Sequence, residues 1–542
     1  MTVGPRACRY GRQRRIADER GSLTVFSLFI LIIMLFVGGM AVDFMRQETA
    51  RSRLQSTLDR AILAAADLDQ KLDPETVVRD YFARSGVTDY TLGVTVSQGE
   101  TARRVAAVTH TTLDSYFLQF LGIDTLGAPA RGTAEESISN IEISMVLDIS
   151  GSMGETSASG KTKIVELRAA AKAFIDTIYA QTDPARTTVS IVPYSTQVNA
   201  GADLLSKFNI SNEHAYSNCV DFAPEDYATA SLNTVQPLQR TGHFDPLSGN
   251  STKTASQWVC RTDTGVEIMP PGKDAATLRA KIDSLTPRNY TSIEIGMKWG
   301  TALLHPDARP AIAALAAEGK LPPAVATRPL DFDPAQALKV IVVMTDGINT
   351  NQWFLDPRYR SGPSRVWFDA GTGKFSIEGP EVGDRDGDNI KGEAYYIPGN
   401  SGTSRWMNAP SSVSAVRLSY PELWAKVGMR YNASAFMQGM TGSAVDYDLW
   451  TGGRWIGGVW NPGAWSVIGG AEKDIRTDAI CTAAKDAGIR IYSIGFEVTS
   501  ASEAVLQACA SSPSHYFRVD GKSIADAFQA IANDIGKLRL TQ

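Results

Sequence analysis

The residues best suited to chemistry in this 542-residue sequence are acids and hydroxyls placed directly after apolar segments. Asp148, Ser150 and Ser152 alternate in a short turn that follows the apolar segment 141–147 and precedes a predicted helix. One carboxylate and two hydroxyls at positions i, i+2 and i+4 of a tight turn can converge on one point. All three are hard oxygen donors, which suit Mg²⁺ or Mn²⁺ in six-coordinate geometry and do not suit zinc.

A second acid holds a comparable position, because Asp346 follows the apolar strand 341–345 and precedes Gly347. Between the two acids along the chain, Thr291 stands at the start of a predicted helix and offers another hydroxyl. Ligands collect at the carboxyl ends of the strands in an open parallel sheet. The sequence therefore predicts that hard oxygen donors from separate segments meet at one edge of a sheet.

Histidine chemistry is poorly represented. The sequence contains no H-E-x-x-H motif and no pair of histidines at helical spacing, which disfavours a His-ligated zinc enzyme and a His-based catalytic triad. The five histidines are scattered: His110, His214, His243, His305 and His515. Only His515 lies near a predicted strand, and no acid that could orient it is identifiable. We therefore predict that the protein is not an enzyme; the alternative is a hydrolase with Asp148 or a serine as nucleophile.

Charge and hydropathy are distributed unevenly, with the extremes at the N-terminus. The formal net charge of −5 leaves no basic excess for phosphate contacts, so a nucleic-acid partner is not expected. Residues 1–20 hold six arginines, and residues 23–42 then form an uncharged apolar run long enough to span a bilayer. The positive-inside rule predicts a cytoplasmic N-terminus and places the chain beyond residue 43 outside the cytoplasm. A cleaved signal is the alternative, but this run is longer than a signal's and continues into charged, helix-forming sequence.

Cysteine usage agrees with export. Cys8 precedes the predicted span, and the other four cysteines follow it and can pair in three ways. An oxidising compartment favours disulfides, and pairing between neighbours in sequence joins Cys219 to Cys260 and Cys481 to Cys509. The alternative is that some of them are buried small apolar side chains.

The elements that must position the acids and hydroxyls follow the membrane span. Residues 43–68 continue it as an amphipathic helix, a second helix is predicted over 73–84, and alternating runs in 89–135 predict a small α+β module. From residue 140, apolar strands alternate with helices. The predicted strands are 141–150, 187–194, 337–345 and 489–496, and the predicted helices are 163–179, 275–285, 292–304, 472–487, 502–510 and 522–538. This alternation predicts a mostly parallel sheet with helices on both faces.

Two segments interrupt the alternation and are too long for plain loops. Residues 200–272 are polar and contain prolines, whereas residues 350–470 are rich in glycine and hold eight of the ten tryptophans. The second insertion leaves the sheet close after Asp346. Its aromatic rings can form a recognition surface, since aromatic residues dominate binding hot spots, or the core of the insertion itself, which we favour for most of them.

The second insertion also contains a run that is similar to a calcium loop, Asp384-Arg385-Asp386-Gly387-Asp388-Asn389. An EF-hand requires glycine at the sixth position and glutamate at the twelfth, where this sequence has Asn389 and Tyr395. The sequence therefore excludes an EF-hand and favours a plain acidic turn.

Three separated motifs resemble the von Willebrand factor A (vWA) family and its metal-ion-dependent adhesion site. The family pattern D-x-S-x-S matches Asp148, Ser150 and Ser152, the helix-opening threonine matches Thr291 in TSIEIGM, and T-D-G matches 345–347. The resemblance implies a Rossmann-like α/β fold. It also implies that Mg²⁺, or Mn²⁺ or Ca²⁺, is held by Asp148, Ser150, Ser152, Thr291 and Asp346, the last often through a water. One coordination position would be left for an acidic side chain of a protein partner. The family domain is much shorter than residues 140–540, so the resemblance does not describe the two insertions.

The N-terminal sequence resembles the TadG-like class of Tad (Flp) pilus-assembly proteins. The resemblance rests on a basic start, Arg20-Gly21, one apolar span, Ala41-Val42-Asp43 and a helix with the pattern R-x-x-L-Q-x-x-L-D-x-A-x-L-A-A-A, and also on the C-terminal run from Cys481. The chain departs from pilin-type precursors at Phe26, where those proteins have glutamate, which argues against processing by a prepilin peptidase.

Together these features predict a bacterial inner-membrane protein with one span and a periplasmic α/β domain. It would bind other proteins in a metal-dependent way and assist Tad pilus assembly or surface attachment. The expected order is a cytoplasmic basic segment (1–22), a transmembrane helix (23–42), a helical stalk with a small α+β module (43–139) and a vWA domain (140–540). The expected partners are pilus or envelope proteins. The alternatives are a structural stalk with a silent metal site and a cytoplasmic adaptor, which the predicted topology disfavours.

Overall fold

The computed structural model describes residues 20–67, 70–98, 102–137, 140–333, 336–387, 389 and 391–541. The basic segment 1–19 with Cys8, and Asp388 of the acidic turn, lie outside these residues. Contacts divide the chain into two compact units, Met1–Ile138 and Ser139–Gln542, next to the boundary predicted between 139 and 140. Each unit has its own hydrophobic core.

Helix α1 (Arg20–Ala66) runs without a break through the predicted membrane span and the predicted stalk. Among the described residues it is the one helix long and apolar enough to cross a membrane, which fits a membrane anchor or a signal sequence. Beyond the span, Leu54, Leu58, Ile62 and Ala65 recur three or four residues apart and are buried in the core of the first unit. The amphipathic pattern of the sequence is therefore used for packing.

A second helix and a small antiparallel sheet complete the first unit. Its remaining elements are α2 (Pro74–Arg84), β1 (Tyr90–Gln98), β2 (Ala102–Asp114) and β3 (Thr125–Ser137). The strands pair in the order β1-β2-β3. Asp43 of α1 is buried and accepts backbone N–H bonds from Tyr116, Phe117 and Leu118 at 2.7–3.0 Å. This carboxylate therefore fixes the segment after β2 to the helix.

The strands of the second unit build one large central sheet and several smaller ones. They are β4 (Asn140–Asp148), β5 (Thr187–Tyr194), β6 (Val220–Asp221), β7 (Gln239–Arg240), β8 (Met269–Gly272), β9 (Ala337–Thr345), β10 (Gln352–Leu355), β11 (Pro363–Asp369), β12 (Lys374–Val382), β13 (Glu393–Tyr396), β14 (Trp406–Met407), β15 (Val416–Ser419), β16 (Gly453–Ile456), β17 (Val459–Pro462), β18 (Trp465–Ile468), β19 (Arg490–Phe496) and β20 (Tyr516–Val519). The central sheet has the order β20-β19-β9-β4-β5-β8 and is parallel except for the edge strand β8. The predicted mixed α/β organisation is confirmed.

Helices cover both faces of the central sheet. The helices of the second unit are α3 (Lys163–Gln181), α4 (Ala202–Leu205), α5 (Ala275–Asp283), α6 (Ile293–Ala302), α7 (Arg309–Ala317), α8 (Tyr420–Lys426), α9 (Met429–Tyr431), α10 (Gly439–Thr441), α11 (Ala444–Leu449), α12 (Gly470–Asp486), α13 (Ser500–Cys509) and α14 (Ile524–Thr541). Helices α3, α5 and α14 share a core with one face, and α6, α7 and α12 share a core with the other. Strand β4 is buried on both faces and is mostly apolar, and its buried Glu142 is paired with Arg328 and Lys339.

Three elements of this layered arrangement were not predicted. Strands β8 and β20 have only four residues each, and β8 contains Pro270 and Pro271, which weaken a strand signal. Proline is tolerated there because β8 lies at the edge of the sheet. Helix α7 has nine residues and a proline in its first turn, so its period is too short to stand out.

The second insertion has a core of its own. Strands β10 and β18 pair at its two ends, and between them lies a five-stranded antiparallel sheet with the order β14-β13-β12-β11-β15. Four tryptophans are buried in the core of this region: Trp353, Trp406, Trp424 and Trp465. Trp455 and Trp460, on the β16–β17 hairpin, are 66% and 46% exposed. Half of the eight rings thus lie fully inside the insertion, and the hairpin pair does not.

Two disulfides are present among the four cysteines that follow helix α1. Cys219 is bonded to Cys260 within the first insertion, with the Cα atoms 5.8 Å apart. Cys481 of α12 is bonded to Cys509 of α13, with the Cα atoms 5.0 Å apart. Of the three pairings open to the sequence, the structure has the one between neighbours along the chain.

Candidate metal-binding site

The predicted site lies at the carboxyl edge of the central sheet. Strands β4 and β9 are parallel neighbours, so their carboxyl ends meet at this edge. Asp148 is the last residue of β4 and is fully buried. Its Oδ2 accepts a hydrogen bond from the Thr345 hydroxyl at 2.6 Å, and its Oδ1 accepts one from the Ser150 N–H at 2.7 Å. Both carboxylate oxygens are therefore fixed by neighbouring donors.

A chain of hydroxyls connects the two predicted acids. The Ser150 and Ser152 hydroxyl oxygens are 3.1 Å apart, and the Ser152 hydroxyl donates to Asp346 Oδ1 at 2.7 Å. Asp346 follows β9 directly and is 6% exposed. The structure thus brings together residues that are 194 positions apart in sequence.

The Thr291 hydroxyl faces the same space. A Cβ atom placed on Gly347 would lie 3.7 Å from Ser152 Oγ and 3.8 Å from Thr291 Oγ1. The Thr291 loop is attached to the Asp148 turn because the Gly151 N–H donates to the carbonyl of Asn289 at 2.8 Å. Asn289 has a φ of 70°, a left-handed conformation that asparagine tolerates. All five predicted ligands therefore line one edge of the sheet, where four are buried and Ser152 is partly buried.

The two carboxylates influence each other. Burial and the negative charge of Asp346 together raise the pKa of Asp148 to about 7, while hydrogen bonds from Thr345 and Ser150 act in the opposite direction. A cation among these donors would remove the repulsion. The donor set is two carboxylates and three hydroxyls, all hard oxygens, which fits Mg²⁺ or Mn²⁺.

Lys163, at the start of α3, is a positive group at this site that sequence reasoning missed. Its ammonium lies 2.9 Å from Asp346 Oδ2, and both side chains are almost completely buried. Ser152 and Lys163 occupy both Asp346 oxygens, so a cation held at this site would reach Asp346 through water. No pattern marks Lys163 in the sequence, because a lysine in the first turn of a helix is ordinarily solvated.

Lys473, in α12, fixes the Thr291 loop and was also missed. Its ammonium donates to the Thr291 carbonyl at 2.6 Å, to the Ser292 hydroxyl at 2.6 Å and to the Thr350 carbonyl at 2.9 Å. It is fully buried and lies 3.6 Å from Glu294. Burial raises the pKa of Glu294 to about 7, although the charge of Lys473 acts in the opposite direction. The helix that follows the second insertion is therefore bonded directly to the candidate site.

His515 lies at the opposite edge of the sheet. It precedes β20, which is parallel to β19 and hence to β4, so it stands at the amino ends of these strands. Its Nδ1 shares a hydrogen bond with the Ser512 hydroxyl at 2.5 Å. His515 is therefore not placed to act as a base for a group at Asp148.

The N-terminal sequence matches a known family. Residues 21–68 match the Tad family model, described as Flp pilus-assembly TadE/G-like. The match covers the apolar helix and its continuation and does not reach the candidate metal-binding site. No curated protein matches the chain.

Several solved structures of pilus proteins are similar to the chain at low level. The pilus adhesin SpaC from Lactobacillus rhamnosus GG is 15% identical with a TM-score of 0.29, over 83% of this chain and 34% of SpaC. The vWF domain of the type V pili tip protein Mfa5 from Porphyromonas gingivalis is 14% identical with a TM-score of 0.31, over 74% of this chain and 96% of that domain. The pilus adhesin RrgA from Streptococcus pneumoniae is 11% identical with a TM-score of 0.32, over 83% of this chain and 49% of RrgA. The chain thus spans about a third of SpaC, and similarities this low establish neither its fold family nor its function.

Proposed function

We propose that the protein is a membrane-anchored component of Tad-type pilus assembly that binds protein partners through a divalent cation at Asp148. The observation that carries the proposal is the convergence of Asp148, Ser150, Ser152, Thr291 and Asp346 at the carboxyl edge of a parallel sheet. The match of residues 21–68 to the Tad family supports the pilus-related role. The D-x-S-x-S, threonine and T-D-G motifs support a vWA-type adhesion domain without catalytic activity.

In this proposal Asp148, Ser150, Ser152 and Thr291 would hold Mg²⁺ directly, and Asp346 would hold it through water. Such an ion would supply a Lewis-acid position for an acidic side chain of the partner. The other residues of the chain orient these ligands. Thr345 fixes Asp148, Lys163 fixes Asp346, and Lys473 fixes the loop of Thr291.

The anchor assignment completes the proposal. Helix α1 is continuous from its apolar part into a segment packed in the first unit, which favours an uncleaved anchor over a signal sequence. The arginines before it favour a cytoplasmic N-terminus, so the second unit would face the periplasm, where pilus and envelope proteins are accessible. Protease treatment of spheroplasts tests this topology: digestion of the second unit is expected, and full protection would contradict it.

The metal site is tested by calorimetric titration of Mg²⁺ and Mn²⁺ into the full-length protein in detergent. We expect saturable binding in the wild type and loss of at least a hundredfold in affinity in Asp148→Asn. Asp478→Asn, which removes an exposed acid from α12, is the matched control and is expected to bind as the wild type does. Circular dichroism verifies that each variant is folded. Equal binding by wild type and Asp148→Asn would overturn the proposed site.

The adhesion role is tested in cells that assemble Tad pili. Asp148→Asn is expected to reduce piliation or attachment while the protein remains in the membrane at wild-type level, and Asp478→Asn is expected to have no effect. Normal piliation and attachment with Asp148→Asn would contradict a metal-dependent role.

One observation favours a second candidate, a structural stalk with a silent metal site. Lys163 already neutralises part of the charge at Asp346, so the site contains a cation of its own. A folded wild-type protein that binds neither Mg²⁺ nor Mn²⁺ would support this candidate over the first.

A further inference from the structure

We propose that the second insertion contains a separate calcium site formed by Asp384, Asp386 and Glu393. These residues lie in and after the loop that connects β12 to β13. One carboxylate oxygen from each residue lies within 4.8 Å of the others. Two oxygens on opposite sides of one Ca²⁺ are about 4.6–5.2 Å apart, since Ca–O distances are about 2.3–2.6 Å. A single Ca²⁺ can therefore contact all three carboxylates.

The burial of Glu393 points to a ligand. Its side chain is 0% exposed, and its Oε1 has no hydrogen-bond partner among the described residues. Asp386 Oδ1 is also buried and without a partner in that part of the chain. Two buried carboxylate oxygens without a hydrogen bond among the described residues are costly, because a buried charge needs a counter-charge or a metal.

The guanidinium of Arg385, which lies between Asp384 and Asp386 in sequence, is directed elsewhere. The Arg385 guanidinium lies 4.0 Å from the centre of the Trp406 ring and donates to the carbonyl of Pro380 at 2.6 Å. Its backbone N–H, in contrast, donates to Glu393 Oε2. Arg385 therefore helps to hold the cluster together without supplying its guanidinium charge to it.

Backbone N–H groups of the loop and of β14 donate to Asp384 and Asp386. Asp384 Oδ1 accepts from the Gly387 N–H at 2.7 Å, and Asp384 Oδ2 accepts from the Asn389 N–H at 2.9 Å. Asp386 Oδ2 accepts from the Trp406 N–H at 3.3 Å. These bonds join the loop to β14. They leave Glu393 Oε1 and Asp386 Oδ1 without a hydrogen bond among the described residues, so both oxygens can contact an ion.

Calcium fits this set better than zinc or magnesium. All donors are hard oxygens, which disfavours zinc. Mg²⁺ demands near-ideal octahedral geometry at about 2.0–2.1 Å, whereas Ca²⁺ accepts irregular sets of six to eight oxygens. Three carboxylates from one loop and the adjacent strand, with water completing the coordination, match the irregular oxygen set that Ca²⁺ accepts. The site differs from an EF-hand because its third acid comes from β13 and not from the twelfth loop position.

The test uses the full-length protein in detergent, stripped of metal with EDTA, and Tb³⁺ as a luminescent probe that Ca²⁺ displaces. Because Trp406 adjoins the cluster, excitation of tryptophan is expected to sensitise Tb³⁺ bound there. We expect Glu393→Gln and Asp386→Asn each to weaken Ca²⁺ binding at least tenfold. Glu378→Gln, which removes a half-exposed acid from β12 of the same sheet, is the matched control and is expected to bind normally. Trp406→Phe is expected to lower the sensitised emission and to leave the calorimetric Ca²⁺ affinity within about threefold.

Asp148→Asn separates this site from the one at the central sheet. Ca²⁺ binding that survives Asp148→Asn and is lost in Glu393→Gln supports the proposal, whatever the outcome at the first site. Ca²⁺ binding that is lost in Asp148→Asn and unchanged in both Glu393→Gln and Asp386→Asn overturns it, as does a wild type that binds no Ca²⁺. As a second readout, Ca²⁺ is expected to raise the melting temperature of the wild type and not that of folded Asp386→Asn. The melting transition also shows whether a variant that fails in the titration is misfolded.

Discussion

The two acidic clusters of the second unit differ in how their charge is balanced. At the edge of the central sheet, donors satisfy the oxygens of Asp148 and Asp346, and Lys163 adds a positive charge 2.9 Å from Asp346. In the second insertion, one oxygen of Asp386 and one of Glu393 are buried without a partner among the described residues. The first cluster can therefore keep its shape without a metal. In the second cluster the two buried oxygens carry an uncompensated desolvation cost, which a bound cation would remove.

The two clusters also differ in whether the sequence or only the structure reveals them. The first cluster is visible as a motif because its residues follow strands at fixed positions. The second has no family motif, and only burial shows that its acids lack partners. A strong motif is thus no measure of how much a site needs its ion, since a side chain such as Lys163 can stand in for part of the charge.

Disrupting the core of the second insertion should separate the two sites most strongly. Trp424 is 1% exposed, and its indole N–H donates to the carbonyl of Tyr359 at 3.0 Å. Trp424→Ala is therefore expected to destabilise the insertion by about 3–5 kcal/mol and to abolish Ca²⁺ binding while Mg²⁺ binding at Asp148 persists. Thermal unfolding and calorimetry of the full-length protein measure both effects.

Trp455 provides the control for this experiment, because it is a tryptophan of the same insertion and is 66% exposed. Trp455→Ala is expected to change the free energy of unfolding by less than about 0.5 kcal/mol. Loss of both metal sites in Trp424→Ala would show that they depend on one common core, and it would contradict the independence of the two clusters.

Lys163→Met tests whether the first cluster contains its own counter-charge. Removing one partner of a buried ion pair leaves Asp346 uncompensated, so the metal-free protein is expected to lose about 3 kcal/mol of unfolding free energy. Mg²⁺ should restore much of this loss, because the ion then supplies the missing charge. Lys172 lies on the same helix as Lys163 and pairs at the surface with Asp283 of α5, so Lys172→Met is expected to cost less than about 1 kcal/mol. An undiminished stability of Lys163→Met would show that the ammonium does not balance Asp346.

The sequence was sufficient for the parts of the molecule that repeat a regular pattern. Strands β4, β5, β9 and β19 are buried on both faces, so their apolar runs and the acids that follow β4 and β9 were recognisable. The alternation of strands with helices then placed these ends at one edge of the sheet. That metal binds there remains a prediction.

The parts that the sequence did not reveal depend on contacts between distant segments. Lys163 and Lys473 look like surface lysines, and only the packing of α3 and α12 brings their ammonium groups to Asp346 and the Thr291 loop. Glu393 escaped notice because the acidic run ends at residue 389 and the strand that carries Glu393 was not predicted. The favoured interpretation of that run as a plain acidic turn considered its spacing and could not include its burial.

The buried imidazole of His243 is a third case, in which the side chain stays unprotonated and so carries no charge that needs a partner. His243 stacks on Trp258 at a centroid distance of 4.8 Å, and its Nδ1 is buried without a partner among the described residues. Burial and the neighbouring His214 together lower the pKa of His243 to about 3. The unfolded chain takes up this proton below about pH 6.5 and the folded chain does not until about pH 3, so stability present above pH 6.5 is lost on acidification.

From pH 6.5 to pH 5 the expected loss is about 2 kcal/mol, at about 1.4 kcal/mol per pH unit. His243→Phe keeps a ring against Trp258 and is expected to remove this contribution, which denaturant unfolding at the two pH values measures. An unchanged pH dependence in His243→Phe would mean that other groups, such as His214, cause it.

Glu393→Gln gives the smallest and most specific test of the contrast between the clusters. In the metal-free protein the substitution removes a buried negative charge and offers an amide that can donate to Asp386, so the free energy of unfolding should rise by about 1 kcal/mol. With saturating Ca²⁺ the order should reverse, because only the wild type gains stability from the ion. Glu378→Gln, in the same sheet, should show no such reversal. If Glu393→Gln lowers stability equally with EDTA and with Ca²⁺, the Glu393 carboxylate is balanced without a metal, and the two clusters do not differ in the way that their burial indicates.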